Sequence, residues 1–233
     1  MIAENIKQLK ETIGIKCAEI KRNPQEIRLV AVSKFFGIDA ISEANRLGIT
    51  DFGENKAQEL RDKYEILGDK VTWHFIGTLQ RNKVKYAVKA ATYIHSVASI
   101  ILADEINKEA KKLNKVQKIL LEVKTSFEDS KSGLSNYAEV LDVVEHCSSL
   151  PNIELVGLMT MAPFTDDERV IRQSFSDLRK LKDEINQNGF DLRELSMGMT
   201  SDYEIAIEEG ATMLRIGSAI FGQRNTLKDW RQS

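Results

Sequence analysis

In Arg28-Leu-Val-Ala-Val-Ser-Lys34 an uncharged run, Leu29 to Ser33, stops abruptly on a lysine. Its length suits a strand, and its lack of polar alternation suits a strand covered on both faces, as in a parallel sheet wrapped by helices. Working outward from RLVAVS (28–33), similar runs recur at TDFGE (50–54), WHFIG (73–77), TYIHSV (92–97), KILLEVKT (118–125), ELVGLMTM (154–161), ELSMG (194–198) and TMLRIG (212–217). Between these eight strand candidates, amphipathic stretches predict helices near 38–47, 55–67, 79–90, 99–114, 135–149, 166–188 and 201–209. Regular strand/helix alternation over the whole chain favours a single-domain α/β fold, a (β/α)8 TIM-type barrel. A doubly wound open sheet is the structural alternative.

Ahead of the first strand, Ile2, Ile6, Leu9 and Ile13 share one helical stripe and Pro24 marks its end, so an extra N-terminal helix is expected within 1–24, packed outside the barrel. Residues 225–233 are polar and predict a short surface tail. Thr165-Asp-Asp-Glu168 and Ser201-Asp-Tyr-Glu204 each fit a capping box at a helix start. Pro24, Pro151 and Pro163 sit at element boundaries, and 1–233 reads as one domain.

Composition excludes several classes. With 33 Lys+Arg against 35 Asp+Glu the formal charge is −2, so no global field favours nucleic acid or an anionic membrane. The charged start lacks the apolar core of a signal peptide, and no apolar run reaches membrane-spanning length. Cys17 and Cys147 form no closely spaced metal-binding pair and read as reduced thiols, which makes a cytoplasmic protein the expectation. His74, His95 and His146 are not spaced as a metal set, and no G-x-S-x-G elbow exists.

In a parallel barrel the active face lies at the carboxyl ends of the strands. Lys34 closes the first run, and a period of two puts Val30, Val32 and Lys34 on one side. An ammonium facing a barrel interior is costly unless paired or neutral, and desolvation makes the amine nucleophilic toward aldehydes. Taken alone, Lys34 reads better as a lysine leaving the strand for solvent. The other strand ends shift that balance. Ser196-Met-Gly-Met-Thr-Ser201 opens a helix with small and hydroxylated residues, and Gly217-Ser218 follows the last strand, the two places where this fold holds phosphate groups. Ordinary capping and a turn would explain either segment alone. Met213, Arg215 and Gly217 share a face; if it points inward, Arg215 either forms a structural salt bridge, with Glu54 or Asp51 as partner, or contacts a ligand's heterocyclic nitrogen.

AVSK (31–34), FGEN (52–55), WHFIG-x-LQ-x-NK (73–83), SKSG (130–133), GLMTMAP (157–163), LSMGM (195–199) and RIGSAIFG (215–222) run in order over nearly the entire chain. Together they resemble the YggS/PROSC family of pyridoxal phosphate homeostasis proteins. The resemblance implies a barrel similar to the N-terminal domain of alanine racemase, with pyridoxal 5′-phosphate (PLP) held as a Schiff base on Lys34. It places Asn55 and His74 near the cofactor, Ser196, Met199, Thr200, Gly217 and Ser218 around its phosphate, and Arg215 at the pyridine nitrogen. Two stretches depart from the family pattern: Thr200-Ser201-Asp202 stands where Ser-x-Asp is commonest, and Phe35-Phe36-Gly37 replaces a more polar segment.

A guanidinium beside the pyridine nitrogen makes PLP a poorer electron sink. Related racemases add a second base, a tyrosine from a partner subunit carried on a C-terminal β domain, for which Asn225–Ser233 leaves no room. The resemblance therefore implies a carrier and regulator without appreciable amino-acid turnover, with apo PLP-dependent enzymes as recipients, in a chain expected to be monomeric. Lys83 and Lys85 are candidate secondary attachment points. A PLP-dependent racemase, a class I aldolase and a purely protein-binding scaffold are the other readings.

Overall fold

The computed structural model describes residues 1–125, 133–223 and Trp230. Eight parallel strands close in chain order: β1 (Arg28–Val32), β2 (Asp51–Glu54), β3 (Thr72–Phe75), β4 (Tyr93–Val97), β5 (Gln117–Glu122), β6 (Ile153–Met159), β7 (Glu194–Ser196) and β8 (Met213–Ile216). β8 pairs back onto β1, with Arg28 opposite Met213 and Ala31 opposite Ile216. This is the expected barrel, and the open-sheet alternative is excluded. β7 is only three residues long and meets β8 at a single register pair, Ser196 with Met213.

The helices are α1 (Ile2–Glu19), α2 (Ile38–Arg46), α3 (Ala57–Leu67), α4 (Val84–Ala90), α5 (Ile100–Lys112), α6 (Tyr137–Ser148), α7 (Glu168–Gln187), α8 (Tyr203–Glu208) and α9 (Ser218–Phe221). The seven predicted crossover helices are present. α4 starts later than expected because Arg81–Lys83 form a separate 3-10 turn. The four-residue α9 falls where the sequence reads as a loop. α1 buries Ile6, Leu9, Ile13 and Cys17 and packs against α2, α8 and α9 on the outside of the barrel.

Period-two alternation divides the strands between two cores. Val30, Tyr93, Leu120, Val156, Met159 and Met213 fill the interior, while their neighbours Ala31, Ile94, Leu121, Leu158 and Leu214 face the helices. The interior plug lies below the carboxyl ends and leaves the mouth to polar groups.

Neither capping box forms as read. At α7 the cap is Asp167, whose carboxylate accepts from the Arg169 amide, while Thr165 Oγ1 accepts from Asp167 one step earlier. At α8 the helix starts at Tyr203, so Ser201 lies outside it, and the Asp202 carboxylate reaches back to the Met199 amide. At α7 an aspartate nearer the helix takes the helix-start donor, whereas at α8 no side chain caps the helix.

Candidate ligand-binding site

A cavity of about 420 Å³ opens at the carboxyl ends of the strands, lined by Val32, Lys34, Asn55, Ile76, Met161, Phe164, Met199, Thr200, Ser201, Arg215, Gly217 and Ser218. Seven of the sequence candidates meet here: Lys34, Asn55, Met199, Thr200, Arg215, Gly217 and Ser218. His74 and Ser196 do not line it; both are wholly buried beneath it. Ser130, Lys131 and Ser132 of the SKSG motif, and the expected tail apart from Trp230, lie outside the described residues.

Lys34 follows β1 with the predicted geometry: Val30 points into the plug, and Val32 and Lys34 line the cavity two and four residues on. The turn that carries it is pinned on both sides. Ser33 Oγ donates to Glu54 Oε1 at 2.6 Å, and the Phe35 amide donates to Glu59 Oε1 at 2.9 Å. Behind them Lys63 Nζ donates to Ser33 O, Glu54 Oε1 and Glu59 Oε1 at 2.9, 2.7 and 2.8 Å. Lys63 and Glu54 are fully buried. Burial pushes the Glu54 carboxyl up to about 7, against the pull of the Lys63 ammonium. Phe35 adopts φ +72°, a conformation that a bulky side chain occupies only when its surroundings enforce it.

Asn55 ends β2 with its side-chain Oδ1 buried and unpartnered among the described residues. The loop after β3 presses against it so closely that a Cβ on Gly77 would lie 2.2 Å from Asn55 O. A glycine is required there.

Arg215 faces inward from β8, one pleat beyond Met213. Its Nη1 donates to Ser196 Oγ at 2.7 Å and its Nη2 to Thr160 O at 2.8 Å. Neither salt-bridge partner suggested by the sequence is used: Glu54 is held by Lys63 and Ser33, and Asp51 by Arg28 and His74. Burial lowers Arg215 to about 10, which leaves it charged at neutral pH. Ser196, expected near a phosphate, has its hydroxyl between Arg215 and His95 Nδ1 and does not line the cavity.

Below Ser196 a row of buried polar side chains crosses the barrel. His95 Nε2 lies 2.9 Å from His74 Nδ1, and His74 Nε2 lies 2.9 Å from Asp51 Oδ1, which also accepts from Arg28 Nη1 at 2.9 Å. Burial alone would raise Asp51, yet hydrogen bonds from His74, Thr50 and Arg28 bring it down to about 2. Burial holds both imidazoles below the ordinary histidine range, and His95 furthest, with neighbouring His74 and Arg215 adding to the effect. A base whose pKa is depressed by folding contributes stability above its unfolded value of 6.5 and loses it as pH falls through the folded value. His95→Gln is accordingly expected to flatten the acid limb below about pH 6.5 relative to the wild type, as read by urea denaturation at stepped pH.

The remaining wall is made by backbone. Among the described residues, the amides of Thr200, Ser201 and Gly217 have no acceptor, whereas that of Met199 is taken by Asp202. Gly198, at φ +91°, lets the chain turn over α8, where a Cβ would sit 2.6 Å from Ala206 Cβ. Thr200 Oγ1 and Ser218 Oγ are 3.2 Å apart across the gap. Phe164 stands fully exposed at the rim. Lys83 and Lys85 lie against Tyr86 at the start of α4 and do not line the cavity. His95, Asp51, Glu59 and Lys63 were not read as site residues; the inward position of His95 two residues after Tyr93 is the one signal the sequence held.

A closed parallel barrel with a lysine and a buried arginine at its mouth places the protein in the alanine racemase N-terminal domain class, whose family model matches residues 1–225. A relative from Aquifex aeolicus named pyridoxal phosphate homeostasis protein is 40% identical over 223 residues, covering 95% of this chain and 97% of its own. One of the same name from Mus musculus is 40% identical over 228 residues, covering 90% and 83%. The solved structure of PipY from Synechococcus elongatus PCC7942, with PLP bound, matches with a TM-score of 0.84 at 34% identity, covering 95% of this chain and all of that one. The chain belongs to the pyridoxal phosphate homeostasis protein family. Among the described residues no helix is long and apolar enough to cross a membrane.

Proposed function

We propose that the protein binds PLP reversibly as a Schiff base on Lys34 and serves vitamin B6 homeostasis as a carrier and regulator with negligible turnover of amino acids. The observation that carries this reading is one cavity whose walls hold an amine, a permanently charged guanidinium and several unmatched backbone donors. Those groups suit an aldehyde, a ring nitrogen and a phosphate respectively. The PLP-bound PipY relative supports the same assignment.

When bound, PLP supplies an aldehyde and an electron-withdrawing ring. Lys34 would hold the group through its amine and the aldehyde, with loss of one water. Thr200, Ser201 and Gly217 would offer amides, and Thr200 and Ser218 hydroxyls, to the phosphate. Asn55 presents a polar side-chain oxygen that lacks a partner among the described residues. Arg215 would donate toward the ring nitrogen and disfavour its protonation, and with it carbanion chemistry. His74 acts from below, through His95 and Ser196.

On the same reading the protein is a cytoplasmic monomer that hands PLP to apo-enzymes. Both of its cysteines are free and buried, which agrees with a reducing compartment. The deciding experiment is an absorbance spectrum with and without PLP, followed by borohydride reduction and peptide mapping. A visible band and modification at Lys34 are expected. Absence of a bound chromophore would favour a protein-binding scaffold, and racemisation of amino acids by the pure protein, followed by chiral chromatography, would replace the carrier by an enzyme.

A further inference from the structure

The hydrogen bonds beneath Arg215 run in one direction: burial keeps both imidazoles neutral, and with neutral rings the two ends of the row force the order. A guanidinium only donates and an ionised carboxylate only accepts. Starting from Asp51, the 2.9 Å contact requires the His74 proton on Nε2, so His74 Nδ1 is a lone pair. That lone pair accepts from His95 Nε2 at 2.9 Å, so His95 Nδ1 is a lone pair as well. It accepts the Ser196 hydroxyl proton at 2.8 Å, which turns the free oxygen lone pairs of Ser196 toward Arg215 Nη1 at 2.7 Å. The reverse order would set an unprotonated His74 Nε2 against the carboxylate. A charged imidazole in either ring would put a second donor on Ser196 Oγ and leave the Ser196 hydroxyl proton without an acceptor in the row, and full burial disfavours that charge.

The groups around the row agree with this order. Arg28 of β1 reaches Asp51 from the opposite side, Tyr93 of β4 stacks on His74 with ring centroids 4.7 Å apart, and the intermediate side chains are all fully buried. Water has no access to supply a missing donor or acceptor.

We propose that Asp51, acting through His74, His95 and Ser196, is a positioning residue for Arg215: it sets every proton in the row and thereby fixes the guanidinium at the cavity floor. The proposal rests on the reading that Arg215 meets the ring nitrogen of PLP. Its effect reaches across the barrel from residues that never touch the ligand.

The first test needs no cofactor. Long-range 15N–1H correlation of the histidine rings in the PLP-free protein should show His74 and His95 neutral, each with its proton on Nε2. A proton on Nδ1 of either ring, or a charged ring at neutral pH, would overturn the proposal. The second test reads PLP affinity. Asp51→Ala should weaken binding on the order of tenfold while Lys34 remains the borohydride-trapped residue, and Asp51→Asn, which keeps an acceptor oxygen, should restore it. If Asp51→Ala fails to fold, His95→Leu and His95→Gln make the same comparison, because glutamine retains one donor and one acceptor along the row. Wild-type affinity in Asp51→Ala or His95→Leu, or an equal loss in the conservative partners, would refute the positioning role. Failure of the wild type to bind PLP would instead remove the functional reading and leave the proton order standing.

Discussion

Lys34→Ala is expected to abolish the yellow PLP adduct and leave the barrel folded, with an unchanged far-ultraviolet dichroism spectrum. Lys34 is half-buried at the end of β1 and lines the cavity, so a shorter side chain there enlarges an existing space rather than opening a void in the core. The unmatched amides of Thr200, Ser201 and Gly217 and the Arg215 guanidinium are untouched, so some non-covalent affinity should persist, and the loss should appear chiefly in the visible band and in retention after dialysis. A reduced, borohydride-trapped adduct at wild-type stoichiometry in the purified mutant would show that the attachment lysine lies elsewhere.

The second large effect concerns a residue outside the cavity. Lys63→Ala is expected to lower stability by about 3–5 kcal/mol in urea denaturation, because it leaves Glu54 and Glu59 buried around an uncompensated hole. Neutralising the two carboxylates alongside it, as Glu54→Gln and Glu59→Gln in a Lys63→Met background, should recover much of that loss. The pH dependence has a defined sign. Glu54 is raised on folding from 4.5 to about 7, so its contribution to stability is present at acid pH and is lost as pH rises through that value. The Lys63→Ala deficit should therefore shrink as pH falls from about 7 toward 5. A single mutant within about 0.5 kcal/mol of wild type would refute a buried charge cluster under the Lys34 turn.

The barrel itself was legible because its strands are short, largely apolar runs of strand length separated by helical stripes, and closure follows from their number and order. Lys34 and Arg215 were legible for a different reason: period two carries a cation inward only if the neighbours two residues back, Val32 and Met213, are apolar and inward as well. The remainder depended on partners from distant strands. Ser196 reads as a phosphate ligand in a Ser-Met-Gly-Met-Thr-Ser stretch, and only the register of β7 against β8 turns its hydroxyl down onto Arg215. Lys63 sits in a helix whose charge pattern looks solvated, and nothing local says that Glu54, the last residue of β2, awaits it nine positions away. The two helix starts were misread for different reasons: at α7 threonine and aspartate compete for the same backbone donor and Asp167 wins, and at α8 the helix begins beyond Ser201 with no side-chain cap.

The short seventh stave has a kinetic meaning. β7 and β8 run into the loops that carry Thr200, Ser201 and Gly217, and the seam between them is held by a few backbone hydrogen bonds, Thr212 N to Leu195 O, Met197 N to Met213 O and Arg215 N to Gly198 O. On the proposed reading, transient parting of that seam would loosen the grip on the ligand's phosphate without dismantling the rest of the ring, so release of the vitamin would not wait on global unfolding.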